Sequence, residues 1–361
     1  MYADEMQRVF SLGLLALVIG CSSSDQAPSN AGGAGNAGNA GSGGVLNQAG
    51  SAGQIEGGSA GAFTWVEATP CPVARFEASG AVVEGELWVM GGFLSSALDV
   101  TPSVDIYDPS TDQWRPGPVL PGAETHAGVV TIGSDIVLVG GFAGNVLSRI
   151  TTAGVWRWKD ATATWVAGPD LPTPRAAVAA AVVGTQLHAA GGLAIDGNTD
   201  SGEHVVWDLA GADVWVGAEP LANPRNHGGG AATGGRFFAV SGRHGWDEVT
   251  GDDPALDAFD PATDSWLPRA PMPVPRSEIG AATVTLSDGR VLVVGGSIPG
   301  KQPSGDVLVY DPQLDQWSTL PSLPVPLKGV VAARIGSKII VTTGSPTSTD
   351  PSATTYIGCC L

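Results

Sequence analysis

The stretch VLVVGGSIPGKQPSGDVLVYDPQLDQW, residues 291–317, carries the pattern that decides the fold. An apolar run ends in two glycines, a polar loop follows, a second apolar run ends in Tyr310-Asp311-Pro312, and a tryptophan closes the unit. Each piece has a mechanical reason. Glycine pairs at the end of a strand let one backbone approach its neighbour closely. Asp followed by Pro starts a tight turn, the carboxylate accepting backbone N–H groups while proline presets φ. Tryptophan is a large apolar plate that one sheet can press against the next.

The unit recurs, and self-similarity at a fixed period has to be weighed before any motif inside it. Trp65, Trp114, Trp165, Trp215, Trp266 and Trp317 lie about fifty residues apart. Between them the apolar strand and its glycines return as LWVMGG, IVLVGG, LHAAGG, FFAVSG, VLVVGG and IIVTTG, so there are six units. Ser241 and Thr343 replace the first glycine in two of them. The aromatic-Asp turn is clear at Tyr107-Asp108, Phe259-Asp260 and Tyr310-Asp311 and blurred at Trp158-Lys159 and Trp207-Asp208. With 52 glycines, 27 prolines and 14% charged residues, long helices are disfavoured and many short strands expected.

In period, order and residue types the six units resemble the Kelch family, over essentially residues 62–361. The resemblance implies an all-β fold, a six-bladed Kelch β-propeller. After Gly344 one strand remains, ATTYIG, with no tryptophan behind it, while Trp65 has no strands before it. The last blade is therefore expected to take its outer strand from residues 62–68, which removes an open sheet edge. By strand alternation, the loops after the double glycines and the links after each tryptophan strand emerge on one face, and that face carries the variable sequence.

Aligned on tryptophan, Arg75, Arg175, Arg225 and Arg276 share one position, with Glu124 and Leu327 in the other two units. Two residues on stand Glu77, His126, Ala177, His227, Glu278 and Gly329, expected to point the same way along an extended strand. Two interpretations stay open. Either these side chains form a rim at the channel mouth, joined by Arg243, His244 and Trp246 of a post-glycine loop, or each Pro-Arg belongs to the frame and satisfies turn carbonyls or packs on an aromatic. A ring of like charges around a concavity suits an anionic or polyhydroxyl ligand. In several Kelch proteins arginines at the matching position contact acidic ligands, which is what the resemblance implies for the rim. The expected function is a binding module for a protein or glycan. The alternatives are a cofactor-independent sugar mutarotase or epimerase using Glu278, His227 and Arg225, and a passive structural component. No cofactor is expected, and a monomer is.

Two further sets of residues bear on metal and redox chemistry. Asp196, Asn198 and Asp200 are spaced like the start of a calcium loop, but the glycine falls one place late, and a solvated acidic turn is the preferred account. Cys71 and the Cys359-Cys360 pair flank opposite ends of paired strands, so Cys71 is expected unpaired, and the adjacent pair either free or a vicinal disulfide.

The N-terminal region reads differently. Arg8, the twelve-residue apolar run VFSLGLLALVIG and Cys21 resemble a bacterial lipoprotein signal peptide, residues 1–20, with Cys21 the acylated residue and Ser22 resembling outer-membrane sorting. The run is too short to span a bilayer. Residues 21–61, almost all Gly, Ala, Ser and Asn, form a tether with a reach of about 35 Å by flexible-chain scaling. The expected contact with the membrane is through the Cys21 lipid alone. The net charge of −18 argues against nucleic acid and anionic lipid as direct ligands.

Overall fold

A computed structural model describes residues 63–122, 124–144, 150–245 and 251–359. Cys21, the signal and tether segments, Trp246 and Cys360 lie outside these described residues. The compact unit Ala62–Leu361 is all-β: six four-stranded antiparallel sheets, with small ribbons such as Ser297–Ile298 with Gln302–Pro303 at the loop end.

The first sheet is typical. Ser79–Val83, Glu86–Met90, Val104–Asp108 and Gln113–Pro116 pair in sequence order, and the buried second and third strands match the two apolar runs of the unit. The innermost strands, Ser79–Val83, Gly128–Ile132, Ala179–Val183, Gly229–Thr233, Thr283–Thr285 and Val331–Ile335, each lie beside the next, and the last lies beside the first. This is the β-propeller arrangement that the repeat implies. In the sixth sheet Thr64–Ala68 is the outer strand, pairing antiparallel with Thr355–Cys359 from Thr64 opposite Cys359 to Ala68 opposite Thr355.

The repeated tryptophans do more than pack. Trp114 donates its indole N–H to the Thr69 carbonyl, Trp215 to Pro169, Trp266 to Glu219, Trp317 to Ala270 and Trp65 to Pro321, all at 2.8–2.9 Å. Each bond runs from a sheet's outer strand to the link leaving the preceding sheet, so the indole stitches neighbours together. The Asp turns form as their chemistry demands, Asp108, Asp260 and Asp311 each accepting a backbone N–H two residues on. Tyr107 and Tyr310 donate their hydroxyls to Asp112 and Asp315.

Cys71 is a buried free thiol whose pKa burial pushes up to about 11. Its N–H bonds the Ala353 carbonyl, at the opposite end of the Thr64–Ala68 strand from Cys359.

Candidate functional site

The arginine column belongs to the frame. Arg75, Arg175, Arg225 and Arg276 are 0–4% exposed, and three of them reach carbonyl oxygens of the double-glycine turn in their own unit. Arg75 and Arg175 donate to the carbonyls of Gly91 and Gly191, and Arg225 Nε to that of Ser241. Acidic partners complete each site: Asp105 for Arg75, Glu203 for Arg175 at 3.2 Å, Asp257 for Arg225 at 2.8 Å and Asp306 for Arg276 at 2.6 Å. In turn, the carbonyls of Arg75, Arg175, Arg225 and Arg276 accept the N–H of the second glycine of the preceding unit: Gly344, Gly141, Gly192 and Gly242. Pro-Arg and Gly-Gly are thus two halves of one latch between sheets. At Gly192 a Cβ would strike the Ala176 carbonyl, which explains the glycine. Ser241 holds the left-handed φ of 48° that glycine holds elsewhere.

These arginines therefore do not line the mouth, which corrects the rim expectation. The physical reason lies two residues further on. Glu77, His126, Ala177, His227, Glu278 and Gly329 all adopt left-handed backbone, with φ between 51° and 59°. Strand alternation fails at such a residue, so the arginine side chain turns into the sheet and the residue two positions on faces the axis. Glu124, in the arginine position, also leaves the mouth. Burial raises its pKa to about 7 against the opposing effect of a hydrogen bond with Trp156.

The second column does converge. Glu77, His126, His227 and Glu278 line a cavity of about 140 Å³ whose walls continue as small residues, among them Gly80, Gly128, Ala180 and Gly230. His126 Nε2 lies 2.7 Å from Glu77 Oε2, and its ring meets that of His227 edge-on at 4.8 Å. Arg243, 2% exposed, donates to His227 Nε2 at 2.9 Å and lies 3.5 Å from Glu278 Oε1. Because guanidinium only donates, His227 Nε2 accepts, and its Nδ1 proton goes to Asn226 Oδ1. Lys328 closes the cluster at 3.3 Å from Glu278 Oε2. Burial opposes ionisation of Glu77, but His126, Lys328 and Arg243 outweigh it and hold the carboxyl well below the ordinary range, at about 2.

Other candidates separate from this cluster. His244, with its side chain 44% exposed, bridges Asp200 at 3.2 Å and Asp253 at 2.8 Å among the loops. Asp196 accepts the N–H groups of Asn198 and Thr199 and so caps its own turn, while Asp200 turns to Asn226, Gly245 and His244. The calcium spacing is therefore not assembled, and among the described residues no group of three or more His, Cys, Asp or Glu is placed to hold a metal ion. The acid-base trio is not assembled either, since Arg225 faces the sheet interior while Glu278 and His227 both engage Arg243. Lys328 was missed, although a single lysine in an otherwise uncharged column (Phe76, Thr125, Ala176, Asn226, Ser277) is a readable signal. Buried His188 and His204, 3.0 Å apart, were also missed, because nothing in their spacing marks them as partners across two strands.

The fold is a β-propeller, and comparison with known proteins finds Kelch motifs in the chain. The Kelch motif model matches residues 74–120, 125–172 and 280–324. The chain is 30% identical over 246 residues to Kelch-like protein terF of Aspergillus terreus, covering 65% of this chain and 52% of that protein. It is 27% identical over 241 residues to Kelch-like protein 35 of Mus musculus, covering 66% and 38%, and 23% identical over 306 residues to a Kelch repeat-containing protein of Arabidopsis thaliana, covering 78% and 70%. The chain spans about half the length of the first of these relatives.

Proposed function

We propose that this domain is a protein-binding module that works through its loop end, exported and held at a membrane by a lipid on Cys21. The observation that carries the reading is the contrast between the two layers of that end. At the mouth, every charged side chain of the cluster is engaged by another, as Glu77 is with His126 and Glu278 with Arg243 and Lys328, which leaves recognition to the loops above. There the exposed charges are largely acidic: Asp99, Asp170, Asp196, Glu219, Asp306 and Asp350, against Lys301. Loops on a rigid frame are where binding side chains belong, and an acidic face selects a partner that presents lysine and arginine. The anchored topology rests on the sequence at Cys21 and the composition of residues 22–61.

Crosslinking on intact cells, comparing the wild-type chain with a chain carrying Asp170→Lys and Asp196→Lys, tests the reading. A basic protein captured by the wild type and lost from the variant is the expected result, with affinity falling as salt rises. An identical capture profile for both chains would remove the loop end from consideration. Cys21→Ala should release the protein from the membrane fraction.

A further inference from the structure

At the opposite end of the sheets, where the hairpins turn, a cleft of about 840 Å³ opens between the fourth and fifth sheets. Its volume lies in the range of ligand sites. Three arginines from separate segments line it: Arg236 at the hairpin of the fourth sheet, Arg269 at the end of its outer strand and Arg290 at the hairpin of the fifth. The first position after the hairpin turn is Glu86, Asp135 and Gln186 in the first three sheets and Lys338 in the sixth, so arginine stands there only in the two sheets that flank this gap. Each is fixed by an aspartate. Arg236 lies 3.1 Å from Asp260, Arg290 is held at 2.7 Å by Asp288, and Arg269 lies 3.4 Å from Asp315 while donating to the Tyr310 hydroxyl and the Pro312 carbonyl. Thr233 donates to the Gly289 carbonyl at 2.8 Å, which ties the two hairpins together across the gap. Leu267, 54% exposed, forms an apolar wall over buried Phe238 and Ala258.

We infer that this cleft is a binding site for a neutral carbohydrate. Guanidinium forks and carboxylates held side by side offer donors and acceptors in fixed planes, and a vicinal diol needs both, since each hydroxyl donates one proton and accepts through its lone pairs. An anionic ligand would meet Asp288 and Asp311 of the lining, and a cationic one would meet the arginines, so the mixture selects a ligand without net charge. Leu267 offers an apolar surface to the C–H face of a sugar ring. The site is separate from the loop end and does not depend on the protein-binding reading.

Calorimetric titration of the full chain with cellobiose, lactose and chitobiose, with digalacturonic acid as the anionic control, tests the inference. At least one neutral disaccharide should bind saturably. Arg236→Ala and Arg290→Ala should each weaken it about tenfold, the loss expected for a hydrogen bond to a charged group, and Leu267→Ser should weaken it as well, with melting temperatures unchanged. The loop-end double variant should bind the sugar as the wild type does, which keeps the two readings apart. Absence of binding by all three neutral probes, binding of digalacturonic acid alone, or sugar binding indifferent to both arginine substitutions would overturn the assignment.

Discussion

At the scale of the residue, the left-handed turn that follows each Pro-Arg directs the chemistry of this propeller. It sends Arg225 among the carbonyls of Ser241, Asn223 and Ala239 and leaves His227 facing the axis. Arg225→Leu should therefore cost about 3–5 kcal/mol in urea melts, because it strips a buried pair and strands the Asp257 carboxylate. A change below about 1 kcal/mol would show that the latch contributes little. The buried imidazoles His188 and His204 set a pH dependence. Burial lowers their pKa values to about 4 and about 3, against an ordinary value of 6.5. Between these limits the unfolded chain binds more protons than the folded one, so the pair's contribution is complete above pH 6.5 and is lost as pH falls toward 4. Glu124, raised to about 7, slopes the other way, since its folded form keeps a proton up to that pH. Replacing both histidines with leucine should remove the loss between about pH 6.5 and 4.5 and leave stability falling as pH rises from about 4.5 to 7, while the lowered carboxyls such as Glu77 still cost stability at lower pH. Parallel profiles for wild type and double variant would contradict this.

At the scale of the element, the indole stitches and the N-terminal strand hold neighbouring sheets together. Trp215 donates to Pro169, whereas Trp165 Nε1 is buried with no hydrogen-bond partner. Trp215→Phe should cost roughly 1 kcal/mol more than Trp165→Phe in chemical denaturation, the net worth of one hydrogen bond. Equal costs would reduce the tryptophans to packing plates. Thr64–Ala68 pairs along its whole length with the strand ending at Cys359, and Trp65 and Thr69 carry the stitches to the fifth and first sheets. A chain beginning at residue 62 should melt as the full chain does, while one beginning at residue 70 should melt at a sharply lower temperature. Similar melting of the two would mean that the sixth sheet is stable as a three-stranded sheet.

At the scale of the whole molecule, the two ends of the sheets have different chemistry, an acidic loop end and a cleft of paired arginines at the hairpin end. Binding at the loop end should weaken steeply between 50 and 500 mM salt, roughly the range over which the Debye length contracts below 5 Å, whereas sugar binding in the cleft should barely change. The sequence by itself determined the repeating unit, the number of sheets and the outer strand at Thr64–Ala68, because turns, apolar runs and tryptophans are local signals repeated at a fixed period. It also assigned Glu77, His126, His227 and Glu278 to one neighbourhood, since register follows from the repeat. Only the tertiary structure decided that Arg75, Arg175, Arg225 and Arg276 face inward, that Arg243 and Lys328 neutralise the mouth, and that three hairpin-end arginines share a cleft. A single left-handed residue reverses side-chain direction without changing the repeat, and contacts between sheets join residues whose separation in sequence carries no period.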